Sequence, residues 1–165
     1  MTSKKIFITF DVDWANEEMI NFCINLCVKH NIKATFFTTH PSKAIESIKN
    51  NDLFELGLHP NFLPNSTQGK TEDEIIEYCL KLAPNAKSVR THCVYQYGAL
   101  YEKLSRHGLM IDSSYFLSGY NEILPCYYHN TNGTLIKVPF IFADDYFLTF
   151  AEDRKVQVLE DSLKT

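Results

Sequence analysis

Ile6-Phe7-Ile8-Thr9-Phe10-Asp11-Val12-Asp13-Trp14 is a short, β-rich apolar run that ends in two carboxylates. A helical pattern follows almost at once from Ala15, so the acids fall in a turn between a strand and a helix. In a parallel sheet, open or closed into a barrel, active sites assemble at the strand carboxyl ends, where Asp11 and Asp13 stand. Two residues apart in extended backbone, both side chains point to one side of the strand. Carboxylates crowded in this way repel unless a positive group lies between or beside them. A divalent metal meets that need, with one acid as ligand and the other as base. The alternative leaves Asp11 solvated and uses Asp13 as the helix cap.

Two more strands end in chemistry of the same kind. Leu53 to Leu58 is apolar apart from Glu55 and terminates in His59-Pro60-Asn61-Phe62. The proline restricts the backbone of His59, and imidazole is the commonest side-chain metal ligand. Lys87-Ser88-Val89 then leads into Arg90-Thr91-His92-Cys93, a rim with a cation and an imidazole on alternate residues. A lone histidine is more often a surface or hydrogen-bonded core residue than a ligand. One aspartate and two histidines, each placed after a strand, point together to a metal site.

Strand and helix patterns alternate along the chain. A helical stripe runs from Glu17 to His30, and Pro41 reads as a first-turn residue of a short helix through Lys49. Thr71-Glu72-Asp73-Glu74 has the form of a capping box into a helix over Ile75 to Leu82. Another helix, Gly98 to His107, feeds strand Leu109 to Ile111 and a fourth rim at Asp112-Ser113-Ser114. Such alternation means a parallel sheet with crossover helices, either a short (β/α) barrel or an open sheet. The polar stretch Pro64 to Lys70 lies directly after His59 and reads as a lid. Beyond Tyr115 the period changes: Tyr120 to Tyr128 and Thr134 to Val138 read as strands joined through Asn130-Thr131-Asn132-Gly133, and a charged helix starts at Glu152.

With these motifs in place, residues 4 to 115 resemble the polysaccharide deacetylases of the NodB-homology type, carbohydrate esterase family 4. Thr9-Phe10-Asp11-Val12-Asp13 looks like a looser form of the family's Thr-Phe-Asp-Asp-Gly motif, which implies that Asp11 is the catalytic base and Asp13 a metal ligand. Lys33-Ala34-Thr35-Phe36-Phe37 resembles the second strand, which has no catalytic duty there. The His-(Ser/Thr)-x-x-His motif is matched at His59, but Pro60 stands at the hydroxyl position and Leu63 at the second histidine. The Arg-x-Pro-Tyr motif is matched at Arg90, which the resemblance implies orients the base, while His92 replaces the proline. Read together, a site lacking one histidine on its second rim has gained one on its third. The resulting ligand set is Asp13, His59 and His92, with open positions left for water and substrate. Zinc fits two imidazoles and a carboxylate best, although cobalt, nickel or iron accept the same set. Leu58-His59-Pro60-Asn61-Phe62 and Arg90-Thr91-His92 look similar to a WbmS-like subgroup near O-antigen and capsule loci. The family's late Leu-x-x-His motif, source of the general acid, has no counterpart.

The resemblance implies a short version of the distorted (β/α) barrel and metal-dependent removal of an acetyl group from an N-acetylated sugar, in surface-polysaccharide metabolism. Trp14, Asn61, Phe62 and Tyr115 flank the ligands as candidate substrate contacts; the aromatic three could equally close the core. The departures leave two alternatives: a degenerate member that binds a glycan without hydrolysing it, and an amidase acting on a non-sugar C–N bond. His129 reads as a turn residue rather than the missing acid, and His107 as a cation at a helix carboxyl end.

A chain of 165 residues with 45% hydrophobic content has room for a single domain over residues 1–165 with a well-buried core. Its net charge of −4 offers no broad basic field, which excludes nucleic acid as partner. No stretch approaches the roughly 18 apolar residues of a membrane helix, and Ile6 to Phe10 is too short for a signal core. The cysteines are scattered among apolar neighbours. Cys23 and Cys27 share a helix face that favours packing over a disulfide, so the expected compartment is the reducing cytoplasm. Side-chain alternation turns Cys93 away from His92.

Overall fold

The computed structural model describes residues 5–118, 120 and 124–146. Its elements are strand β1 (Ile8–Asp11), helix α1 (Glu17–His30), β2 (Ala34–Thr38), α2 (Lys43–Ile48), β3 (Phe54–Leu58), α3 (Glu72–Leu82), β4 (Ser88–Val89), α4 (Gly98–Arg106), β5 (Ile111–Asp112), β6 (Cys126–Asn130) and β7 (Gly133–Lys137). They form one sheet in the order β1-β2-β3-β4-β5-β7-β6. Every neighbouring pair is parallel except the β6–β7 hairpin. The charged helix expected from Glu152 lies outside the described residues, as do residues 121–123 of the expected Tyr120 to Tyr128 strand.

Register explains how the strands divide their chemistry. Ile8 pairs with Ala34 and Ala34 with Phe54. Phe10, Val12, Phe36, Leu56, Leu58, Val89 and Leu135 therefore fall on the face that the helices cover, and they pack into two apolar clusters. One is closed by Ile20 and Ile24 of α1 with Ile45 and Ile48 of α2, the other by Ile76 of α3 with Leu100 and Leu104 of α4. The alternate residues, Thr9, Asp11, Thr35, Glu55 and Ser88, share the opposite face; there Glu55 accepts from Thr35 Oγ1 at 3.2 Å and from Ser88 Oγ at 2.7 Å.

That polar face is concave. Neighbouring strands lie about 4.8 Å apart, so a flat sheet would hold β1 and β4 roughly 14 Å apart, beyond the joint reach of an arginine and an aspartate. Yet Arg90, at the end of β4, donates from Nη1 to Thr9 Oγ1 at 2.9 Å and to Asp11 Oδ1 at 3.0 Å. The sheet curls as a distorted barrel does, and among the described residues no ladder joins β1 to β6, leaving that side open.

Local signals set the helix starts. The expected capping box of Thr71 and Glu74 is present. α1 is capped by Asn16, which accepts from Met19 N, so Asp13 is free of the capping role. α2 is capped by Ser42 and begins at Lys43; the proline expected in its first turn precedes the cap. β1 begins at Ile8 rather than further upstream because its partner strand begins at Ala34, and Ile6 and Phe7 are exposed. No helix among the described residues is long and apolar enough to cross a membrane.

Curling brings Phe37 against Gly57, where a Cβ would stand 2.5 Å from Phe37 Cδ1 and 2.7 Å from Ser88 Oγ. Gly57→Ala should destabilise the protein by about 1–3 kcal/mol in urea denaturation. Combining it with Phe37→Leu should cost less than the sum of the two single changes, since the second removes the clashing ring.

Candidate metal centre

β1 ends at Asp11, and the chain leaves it in a tight turn closed by Ala15 N donating to Val12 O at 2.8 Å. Asp13 and Trp14 have φ of 43° and 58°, left-handed values that cost a residue with a side chain about 1–2 kcal/mol each. The direction of the Asp13 carboxylate is therefore set by this turn and not by strand alternation. A pin offsets the strain: Trp14 N donates to Thr39 Oγ1 at 3.2 Å, and the same buried hydroxyl meets His40 Nδ1 at 2.8 Å. Thr39 lies just past β2, the rim expected to have no duty.

The second rim is held by a side chain from the loop read as a lid. Gln68 is buried; its Nε2 donates to Thr39 O at 2.9 Å and His59 O at 3.2 Å, and its Oε1 accepts from Asn61 N at 2.6 Å. Loop 64–70 is thus an anchor under the rim, a correction forced by an amide that satisfies three backbone groups at once. His92 joins the second rim to the third by donating from its backbone N to Pro60 O at 2.9 Å. Thr91 N donates to Ser114 Oγ at 2.9 Å, which ties in the fourth. Cys93 and Val94, with φ of 54° and 48°, repeat the left-handed pair beside this ligand.

These turns deliver three side chains to one point. Asp13 Oδ1 lies 3.2 Å from His59 Nε2 and 2.9 Å from His92 Nδ1, and the two imidazoles stand nearly perpendicular, 5.5 Å apart. All three donor atoms fall within 4.8 Å of one another. Ligand atoms on a tetrahedral zinc lie about 3.3 Å apart, so spacing and donor chemistry both suit a divalent cation. The Asp13 carboxyl is held below the ordinary carboxylate range, first by the hydrogen bond from His59, then by the charges of His59 and His92, against the opposing effect of burial. His59 acts more strongly than the nearer His92 because it is only 2% exposed. Its Nδ1 is buried without a hydrogen-bond partner. Such an orphan costs about 1–3 kcal/mol, a cost that coordination through Nε2 would offset.

Asp11 stands beside this group, its Oδ1 fixed by Arg90 at 3.0 Å. Arg90 is itself 5% exposed: Nε donates to Ser113 O at 3.0 Å, Nη2 to Ser113 Oγ at 2.9 Å, and the guanidinium lies between the rings of Phe37 and Phe140 at 4.7 and 4.3 Å. Trp14 is edge-on to His92 at 5.3 Å.

The structure thus brings together Asp11, Asp13, Trp14, His59, Arg90 and His92. The other expected contacts engage elsewhere. Asn61 Oδ1 accepts from Leu63 N, Phe62 packs on the apolar cluster beside Tyr95, and the ring of Tyr115 lies 5.9 Å from Lys137 Nζ. Cys93 is exposed. His129 sits within β6 rather than in the turn, with Nδ1 2.9 Å from Thr134 Oγ1, and His107 caps α4 and meets Asp73 Oδ1 at 2.9 Å.

A family model described as WbmS-like polysaccharide deacetylase matches residues 8–164. The chain is similar to the crystal structure of WbmS from Bordetella bronchiseptica, described as a candidate polysaccharide deacetylase involved in O-antigen biosynthesis. They share 32% identity with a TM-score of 0.79, over 88% of this chain and 61% of that one. The chain therefore spans less than two thirds of that relative's length. It shares its fold with a candidate polysaccharide deacetylase from Mycobacterium smegmatis (17% identity, TM-score 0.62, 84% and 59% covered) and with the 4-alpha-glucanotransferase of Thermococcus litoralis (14% identity, TM-score 0.54, 92% and 30% covered). A comparison with curated protein sequences gives no match.

The pin on the Asp13 turn can be tested directly. Thr39→Val keeps the shape and removes the hydroxyl, so zinc affinity should fall about 10- to 100-fold by competition with a chromophoric chelator. Thr39→Ser should stay near wild type. Unchanged affinity in the valine variant would show that the turn holds without its pin.

Proposed function

Because the chain belongs to the WbmS-like polysaccharide deacetylases, we propose that it hydrolyses the acetamide of an N-acetylated sugar during surface-polysaccharide metabolism, using a divalent cation held by Asp13, His59 and His92. The observation that carries this reading is the meeting of two imidazole nitrogens on one Asp13 oxygen, beside a second carboxylate fixed by a buried guanidinium. When bound, the cation supplies Lewis acidity, polarising the acyl carbonyl and making water a stronger acid. Zinc suits the donor set best.

The chain's own groups do the rest. Asp11 has Oδ1 occupied by Arg90, which leaves Oδ2 as the atom that accepts a proton from the attacking water. Arg90 stays charged and moves no proton; it fixes the rotamer of the base. The leaving amine must gain a proton, and Asp11, having just taken one, is the group in position to return it, so one carboxylate balances both transfers. Trp14 forms a wall beside the centre, with Asn61, Phe62 and Tyr115 as outer substrate contacts. Residues 1–165 act as one domain, and the five free cysteines suit a reducing cytoplasm.

Acetate release from an N-acetylated sugar should stop on chelation and return when zinc is restored. Asp11→Asn preserves shape but not basicity, so metal content should match wild type while the rate falls by roughly 100-fold or more. His92→Ala should lose metal while keeping its circular dichroism spectrum. Sugar binding indifferent to metal, with no acetate released, would identify a glycan-binding module instead.

A further inference from the structure

Phe62 and Tyr95 each stand three residues beyond an imidazole of the centre, and their rings meet at 6.1 Å. Tyr97 continues the row, edge to face with Tyr95 at 5.9 Å. Tyr95 and Tyr97 are 38% and 39% exposed. A scattered exposed aromatic such as Phe22 on α1 needs no explanation. This row differs by its place, since it starts at the rim that carries the ligands and runs outward from it.

The row is also fixed. Tyr95 O accepts from Thr91 Oγ1 at 2.7 Å. Gln96, between the two tyrosines, accepts through Oε1 from Tyr101 OH and from Lys137 Nζ, both at 2.7 Å. The phenol of Tyr97 donates to Glu72 of α3, a carboxylate that Lys103 also pairs at 2.6 Å. That bond pushes the Tyr97 phenol up to about 12, so it stays a neutral donor. The hydroxyl end of Tyr97 is tied down while its ring stays accessible, and a ligand would meet surfaces whose ordering cost is already met.

We propose that Phe62, Tyr95 and Tyr97 form a subsite for a second saccharide ring, next to the sugar whose acetamide reaches the centre, so that the substrate is an oligo- or polysaccharide rather than a monosaccharide. This rests on the deacetylase reading for what occupies the centre. A pyranose presents an apolar face of C–H groups, which an aromatic face attracts and shields from water, while its hydroxyls remain solvated at the edge. Tyr95 and Tyr97 meet edge to face, so they offer one such floor and a wall beside it.

The test uses zinc-loaded Asp11→Asn protein, which binds without turnover, titrated calorimetrically with N-acetylglucosamine and with tri-N-acetylchitotriose. The trisaccharide should bind at least tenfold tighter, and Tyr95→Ala or Tyr97→Ala added to that protein should each remove most of this advantage, about tenfold. Tyr97→Phe keeps the ring and loses the Glu72 bond, so it should retain the advantage and separate stacking from the link between α3 and α4. Equal affinity for the two sugars, absence of trisaccharide binding, or a preference that survives both alanine variants would overturn the subsite. Acetate release by the wild-type protein tests the deacetylase reading separately. Trisaccharide held by the tyrosines without acetate release sinks that reading and leaves the subsite standing.

Discussion

Arg90 carries a positive charge into the concave side of the sheet, and the surrounding architecture is arranged to make that burial tolerable. Four of its five N–H donors are engaged, by Ser113 O, Ser113 Oγ, Thr9 Oγ1 and Asp11 Oδ1, and aromatic rings cover both faces of the guanidinium. Removing one partner of such a buried pair leaves an uncompensated charge and costs about 3–5 kcal/mol. The same contacts span β1, β4 and β5, so the requirement to satisfy this cation is also what bends the sheet. Satisfying the charge and shaping the site are one act: the curl that brings Asp11 to Arg90 brings Asp13 to His59 and His92.

Strand alternation then keeps two incompatible environments apart. Residues on one parity feed apolar clusters under the helices, and those on the other face a polar hollow. The site sits where the strands stop and this alternation lapses, and there backbone turns replace it. Two of the three ligands lie in or against a left-handed pair, Asp13 with Trp14 and His92 before Cys93 with Val94. Strain of this kind persists only where the surroundings over-determine it, as the Thr39 hydroxyl and the Pro60 carbonyl do here.

The five polar residues at the centre of the site were readable because each follows a short apolar run, a signal that is local. So was the capping box at Thr71, whose two partners are three residues apart. What escaped reading depends on tertiary neighbours. Thr39 matters only because β2 lies beside β1, and Gln68 looked like one more polar residue in a polar loop until its amide was seen to serve three backbone groups. Nothing in Asp13-Trp14 announces positive φ, since neither residue is glycine or asparagine, and local preference argued for extended chain. The hairpin turn at Asn132-Gly133 was legible; that its second strand would pair with β5 was not. At α2 a serine cap outcompeted a proline start, because a capping oxygen satisfies a backbone donor and proline only removes one.

Position within the sheet has one more consequence. β1 carries both carboxylates, yet among the described residues it is paired on one side only, to β2, and the residues just before it are exposed. An edge strand opens more readily than the strands between neighbours, and its amides exchange with solvent through local fraying well before global unfolding. The chemically richest strand is thus the least protected. It is clasped from across the hollow by an arginine side chain rather than by a second ladder, and any ligand that grips Asp13 draws the same edge inward. Affinity at this centre and rigidity of the sheet margin are therefore a single thermodynamic quantity observed from two ends.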